Sequence, residues 1–250
     1  MLRTVRPAAE PARSAPRPNP RRGAPRPAAG NASRRARPAP RRRARTTEAT
    51  DELARLAGRD ARRALAELER AAEAFAAGRE RDAARILAPL RDAYPDAAAV
   101  RELLGLAHYR LGRYPAAARE LEAFAAATGS VDQHPVLMDC ARAQGRFGRV
   151  EELWEELAAA SPGAALVTEG RIVRAGALAD QGRLREAIAV LERRAGTPRR
   201  VQEHHLRAWY ALADLAERAG DLPRARELFE RVRRHDPGFA DVAERLASLA

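Results

Sequence analysis

The residues of this 250-residue chain that could do chemistry are few and scattered. His204 and His205 are adjacent imidazoles, the side chain that most often holds a transition metal. Neighbouring residues on a helix point about 100° apart, so these two cannot chelate one ion without a third ligand from elsewhere. Cys140 is the single cysteine; it falls on an apolar helical face, has no evident histidine partner, and reads as a small packing residue. One thiol excludes an intrachain disulfide framework and fits a reducing compartment. Glu151-Glu152 and Glu155-Glu156 lie near Arg149 and read as a charged helical face with local pairing. The sequence carries no glycine-rich phosphate loop, nucleophile elbow or paired catalytic carboxylates. The expectation is a non-enzymatic chain with no cofactor and no metal.

Charge is the other chemical resource, and it is unevenly placed. Residues 1–46 hold fourteen arginines against Glu10, while the remainder is close to neutral, so the net +12 resides in this segment. Nine of the seventeen prolines are here too, which blocks helix and favours a disordered, polyproline-II-like tail. Arg21, Arg22, Arg34, Arg35, Arg37, Arg41, Arg42, Arg43 and Arg45 would contact a polyanion in a weak, salt-dependent, sequence-independent way. The tail contains no Phe, Tyr or Trp on which a base could stack. A solubilising linker, or a start of translation further downstream, are the competing readings of it. No run reaches the roughly 18 apolar residues that span a bilayer, and no secretory leader stands at the N-terminus, so a soluble cytoplasmic protein without membrane contact is expected.

The elements that position these residues are helical. Apolar residues make up 46% of the chain but aromatics only 4%, and alanine supplies much of the difference. Alanine favours helix and lets helices approach closely, so thin helical layers are expected. Strand-like alternation is missing. Order begins near Thr50, a plausible N-cap ahead of Asp51 and Glu52, and Gly58 is placed to break the first helix.

A repeat then controls the reading. Glycine ends helical runs at Gly78, Gly112, Gly145, Gly182 and Gly220, at intervals of 34, 33, 37 and 38. Five residues later come Ala83, Ala117, Val150, Ala187 and Ala225; nine later come Leu87, Leu121, Trp154, Leu191 and Phe229. Pro95, Pro162 and Pro237 follow seventeen after three of the five glycines. The glycine turns the chain by taking a left-handed conformation, the small residue lets the second helix close on the first, and the bulky one fills the seam. A period in this range means that each unit must stack on its neighbours to bury its apolar face.

These positions resemble the tetratricopeptide repeat family, whose units carry Trp-x-x-Leu-Gly-x-x-Tyr, Ala-x-x-x-Phe and a closing Pro. Residues 206–239 match it best, through Trp209, Leu212, Ala213, Ala225, Phe229 and Pro237; residues 98–131 match through Leu104-Gly105, His108, Ala117, Leu121 and Phe124. Repeats near 64–97, 131–164 and 168–201 match mainly through their second helices, although Arg194 replaces a small apolar residue. The resemblance implies an all-α solenoid over 47–250, a right-handed superhelix of antiparallel helix pairs, with 1–46 as the tail and 240–250 as the capping helix. Longer loops are expected at Ser161–Val167 and Thr197–Gln202.

The same resemblance implies a scaffold that grips a partner protein or peptide on the concave face of its first helices. That face should include Glu102, Leu106, Tyr109, Asp139, Arg142, Ile172, Val173, Tyr210, Asp214 and Arg218. One subclass clamps C-terminal carboxylates with Lys, Asn and Arg; Glu102, Leu103, Leu106, Asp139 and Asp214 occupy those positions here, so that clamp is not supported. The alternative is a nucleic-acid-associated regulatory protein acting through the basic tail. Self-association through the first-helix faces is a third reading.

Overall fold

The computed structural model describes residues 50–193 and 198–249, and the statements below concern these; the arginine-rich segment 1–46 lies outside them. Every element described is helical. Residues 50–57 form α1, with Thr50 already in helical conformation and not standing outside as a cap. Gly58, at φ +53°, opens a 3-10 turn over Gly58–Asp60, the expected break. There follow α2 (Ala61–Ala76), α3 (Glu80–Ala93), α4 (Ala98–Arg110), α5 (Tyr114–Thr128), α6 (His134–Ala143) and α7 (Phe147–Ala160). The remainder are α8 (Ala164–Asp180), α9 (Leu184–Glu192), α10 (Glu203–Arg218), α11 (Leu222–His235) and α12 (Val242–Ser248). Helices α2 to α11 pack as five consecutive pairs, each pair on the next, and α12 packs on α11.

The five pairs share one turn. The glycines at 78, 112, 145, 182 and 220 have φ between +70° and +83°, a region open to glycine without steric cost. The residue after each donates its N–H to a carbonyl five residues back: Arg79 to Ala74, Arg113 to His108, Arg146 to Ala141, Arg183 to Leu178 and Asp221 to Ala216, all at 2.8–2.9 Å. This six-to-one bond satisfies one orphan carbonyl at each helix end and reverses the chain.

Packing in each pair follows from the residues after that turn. Ala83, Ala117, Val150, Ala187 and Ala225 are all fully buried at the seam. Leu87, Leu121, Leu191 and Phe229 are buried beside them, each stabilising the fold by about 1.5–3 kcal/mol through apolar burial. The third pair departs from the pattern. Trp154 is only half-buried, between Arg171 and Arg174, and Leu153 and Leu157 fill the seam instead. Between α4 and α5, a Cβ on Gly105 would lie 2.6 Å from Leu121 Cγ, so the Leu104-Gly105 step leaves no room for a side chain.

One connection differs from expectation and one follows it. The extra residues after α7 lengthen α8 to 17 residues, so the link is only 161–163, with Ser161 left-handed at φ +45°. The link 193–202 is long, and its residues 194–197, including Arg194, lie outside the described set. Helix α9, at nine residues, is short.

One buried charge joins the first two pairs. Glu120 of α5 is 3% exposed, and its two oxygens accept from Arg91 of α3 at 2.5 Å and Arg101 of α4 at 2.6 Å. Arg101 also donates to the Pro95 carbonyl at 2.8 Å, tying the α3–α4 link into the same network. The carboxylate is thereby paired on both sides, which is the condition under which a buried charge is tolerated.

Candidate peptide-binding face

The first helices of successive pairs are α2, α4, α6, α8 and α10, and polar side chains on them reach across to the next first helix. Tyr109 of α4 donates its hydroxyl to Asp139 Oδ2 of α6 at 2.6 Å. Arg142, one turn on, donates to Asp139 Oδ1 at 3.2 Å and to Asp180 of α8 at 2.6 Å. Gly176 makes room for that guanidinium, since a Cβ there would meet its Cζ at 3.0 Å. Burial works against the charge of Arg142, but the bond to Asp180 and the nearby Asp139 carboxylate outweigh it and raise its proton affinity. Burial and then the Asp139 carboxylate hold the Tyr109 hydroxyl protonated well above the usual phenol range.

The pattern recurs along the face. Gln133, just before α6, donates to Glu102 of α4 at 2.7 Å. Arg207 of α10 pairs with Glu169 of α8 at 2.6 Å, and Arg218 donates to the Ala179 carbonyl at 3.4 Å. At the C-terminal end, Arg245 of α12 donates to Asp214 at 2.9 Å and to Glu217 at 2.7 Å, while Tyr210 donates to Asp241. Burial and Asp241 raise Tyr210 above the ordinary phenol range.

Of the ten residues expected on this face, Tyr109, Asp139 and Arg142 meet in one network. Tyr210, Asp214 and Arg218 lie on α10, where Arg218 stands 4.0 Å from Asp214. Glu102 is engaged by Gln133 and not by either group. Leu106 and Val173 are half-buried against the cluster formed by α5 to α8, and Ile172 against the cluster of α8 to α12. Sequence reasoning missed Gln133, Asp180, Arg245 and Asp241, which complete these bonds. A search for polar pairs about one repeat apart would have found Tyr109 with Asp139 and Tyr210 with Asp241.

The other candidates resolve as structural groups. His205 Nδ1 accepts the Gln202 amide at 3.0 Å while the Gln202 side chain accepts the His205 amide, a capping box that occupies the imidazole. His204 stacks beside it with ring centroids 4.0 Å apart. Among the described residues no group of three or more His, Cys, Asp or Glu could hold a metal. Cys140 is fully buried, and burial pushes its thiol up to about 12. Glu151 reaches Arg174 of α8 at 2.7 Å and Glu156 reaches the buried His134 of α6 at 2.9 Å, so the acidic run also bridges helices. A cavity of about 30 Å3 beside His204 and Trp209 has room for one water. No helix among the described residues is long and apolar enough to cross a membrane.

Two tetratricopeptide-repeat family models match the sequence, one over residues 73–131 and one over 206–249, on helix pairs with the shared glycine turn and buried seam just described. These two stretches of the chain are tetratricopeptide repeats. Solved structures similar to the chain include TPR proteins. A thermophilic TPR protein of Thermus thermophilus superposes with a TM-score of 0.58 at 19% identity, covering 74% of this chain and 98% of that one. A putative kinesin light chain of Podosopora anserina with nearly identical TPR-like repeats gives 0.55 at 22% identity, over 68% and 93% of the two chains. PilF of Pseudomonas aeruginosa gives 0.51 at 14% identity, over 74% and 88%. At these identities the likeness is one of fold. The curated proteins contain no match.

Proposed function

We propose that this chain is a non-enzymatic tetratricopeptide-repeat scaffold that holds an extended or helical segment of a partner protein along the face of its first helices. The observation that carries the reading is the cross-helix polar network on that face. Tyr109, Asp139, Arg142 and Asp180 are locked in one geometry before any ligand arrives, so a partner would meet oriented carboxylate and hydroxyl oxygens with little ordering cost. Half-buried Leu106, Ile172 and Val173 supply apolar contact between these polar groups. A shallow strip of this kind suits a peptide, whose affinity comes from a few anchors along its length.

The test is capture from a native lysate by the full chain and by a Leu106→Glu, Ile172→Glu chain of unchanged circular dichroism. A protein retained by the first and lost by the second supports the reading. Equal retention by both would place the binding elsewhere and sink it.

A further inference from the structure

A second surface forms at the edge of the array where α8 and α10 begin and α9 and α11 end. His204 and His205 stack in the first turn of α10, His205 continues onto Trp209 at 6.3 Å, and Trp209 onto His235 at the end of α11 at 5.8 Å. Arg231 lies over the same indole at 4.7 Å. Trp209 is 1% exposed, so these rings make a firm base joining the two helix ends. Leu191 shares a cavity wall with His204 and His205, which brings the end of α9 to the same edge.

Arg193, Arg199, Arg200, Arg233 and Arg234, all exposed, lie within five residues of Leu191, His204 or His235 along the chain and so flank these helix ends. The carboxylates of the same segments are mostly committed elsewhere. Glu192 is paired with Arg224 and Glu230 with Arg226, and Asp236 caps the Gly238 amide. Glu203 is the remaining acid of residues 191–205 and 228–238. The charge is local to this edge, because the ends of α5 and α7 carry alanine at 125–127 and 158–160 instead.

We propose that this edge docks an acidic segment of a partner protein, a run of aspartate and glutamate side chains. Like charges concentrated near the same helix ends repel, and a partner carboxylate relieves that repulsion while accepting the forked hydrogen bonds of a guanidinium. A protein fits better than a nucleic acid. Trp209 is buried and offers no platform for a base, and the arginines stand at helix ends and do not form a stripe that tracks a phosphate backbone. This surface lies at the helix ends, apart from the residues of the first-helix face, and adds a second contact to the scaffold.

The test is fluorescence anisotropy of a labelled peptide of alternating glutamate and aspartate with the full chain at physiological ionic strength. Two variants each lose four arginines. One is Arg199→Gln, Arg200→Gln, Arg233→Gln, Arg234→Gln; the other is Arg34→Gln, Arg35→Gln, Arg41→Gln, Arg42→Gln. Binding by the edge variant should weaken about ten-fold, as four modest exposed ion pairs would give, and binding by the tail variant should change less than about two-fold. Equal losses in both would mean that the peptide reads only net charge and would overturn the proposal. So would unchanged binding by the edge variant, or a single-stranded oligonucleotide bound more tightly than the peptide and released by the same edge substitutions. Leu106→Glu should leave peptide binding intact, so this result stands apart from that for the first-helix face.

Discussion

Replacing Glu120 by Gln keeps its shape and removes the charge that holds Arg91 and Arg101 together. Breaking a fully buried ion pair from one side costs about 3–5 kcal/mol, because the other charge is left uncompensated. Here the carboxylate is 4% exposed, but the two arginine side chains are 28% and 21% exposed and recover part of their hydration. The expected loss is therefore lower, about 2–3 kcal/mol. The location makes a sharper test than the magnitude. Glu120 joins α3, α4 and α5, whereas both tryptophans, Trp154 and Trp209, lie further along the array. Repeat arrays unfold approximately by neighbour-to-neighbour terms, so the weakened joint should melt ahead of the C-terminal pairs. In urea titration, circular dichroism reports all helices and tryptophan fluorescence only the later ones. Glu120→Gln should pull the dichroism midpoint below the fluorescence midpoint. A companion chain with Glu120→Leu, Arg91→Met and Arg101→Met should recover most of the loss, since an apolar replacement of the whole network leaves no orphan charge. Coincident midpoints at wild-type stability for Glu120→Gln would refute the reasoning. A companion chain as weak as the single variant would show that shape and not charge matters at the joint.

Other perturbations have equally definite outcomes. Ala225→Leu should overpack the fully buried seam between α10 and α11 and cost about 1–3 kcal/mol, read as a fall in Tm; an unchanged Tm would refute the seam. Tyr109→Phe and Asp139→Asn should show a coupling of about 1 kcal/mol in a double-mutant cycle, against none if the hydroxyl faces only water. Cys140, buried and with its thiol pushed up to about 12, should resist a thiol reagent until the chain is denatured; rapid labelling of the native chain would contradict its placement. Burial and the neighbouring His204 hold His205 below the ordinary 6.5, so the folded chain takes up that proton at lower pH than the unfolded one. Its contribution is complete above about 6.5 and is lost as the pH falls toward the depressed value. Hydrogen exchange in the first turn of α10 should rise with that acidification, and His205→Gln, which keeps an acceptor for the Gln202 amide, should remove the rise.

Much of the fold was legible because its signals are local. A glycine with a left-handed conformation, a small residue five later and a bulky one nine later each act within a few helical turns, and the spacing of Gly78, Gly112, Gly145, Gly182 and Gly220 states the period without reference to the partner helix. Trp154 shows the limit of that pattern. Its position marked it as seam-filling, but Leu153 and Leu157 are the residues that fit, because side-chain volume on the facing helix decides which neighbour turns inward. The extra residues before α8 likewise entered the helix, where Ala164 and Ala165 cost nothing to extend it, and did not lengthen the loop.

The class of structure, the period and the small residues at the seams are readable along the chain, since each follows from backbone conformation and side-chain size. The sequence could name the residues of the first-helix face, but not that seven of the ten would be hydrogen-bonded or ion-paired with other helices or with one another. It took the stacked helices to bring Asp139 to Tyr109, Arg142 to Asp180, Glu120 between two arginines, and the ends of α9 and α11 to one edge. The partners in these bonds are 19 to 38 residues apart in the chain. Coulomb and hydrogen-bond terms act over a few ångströms, so such contacts exist only once stacking has brought the helices together.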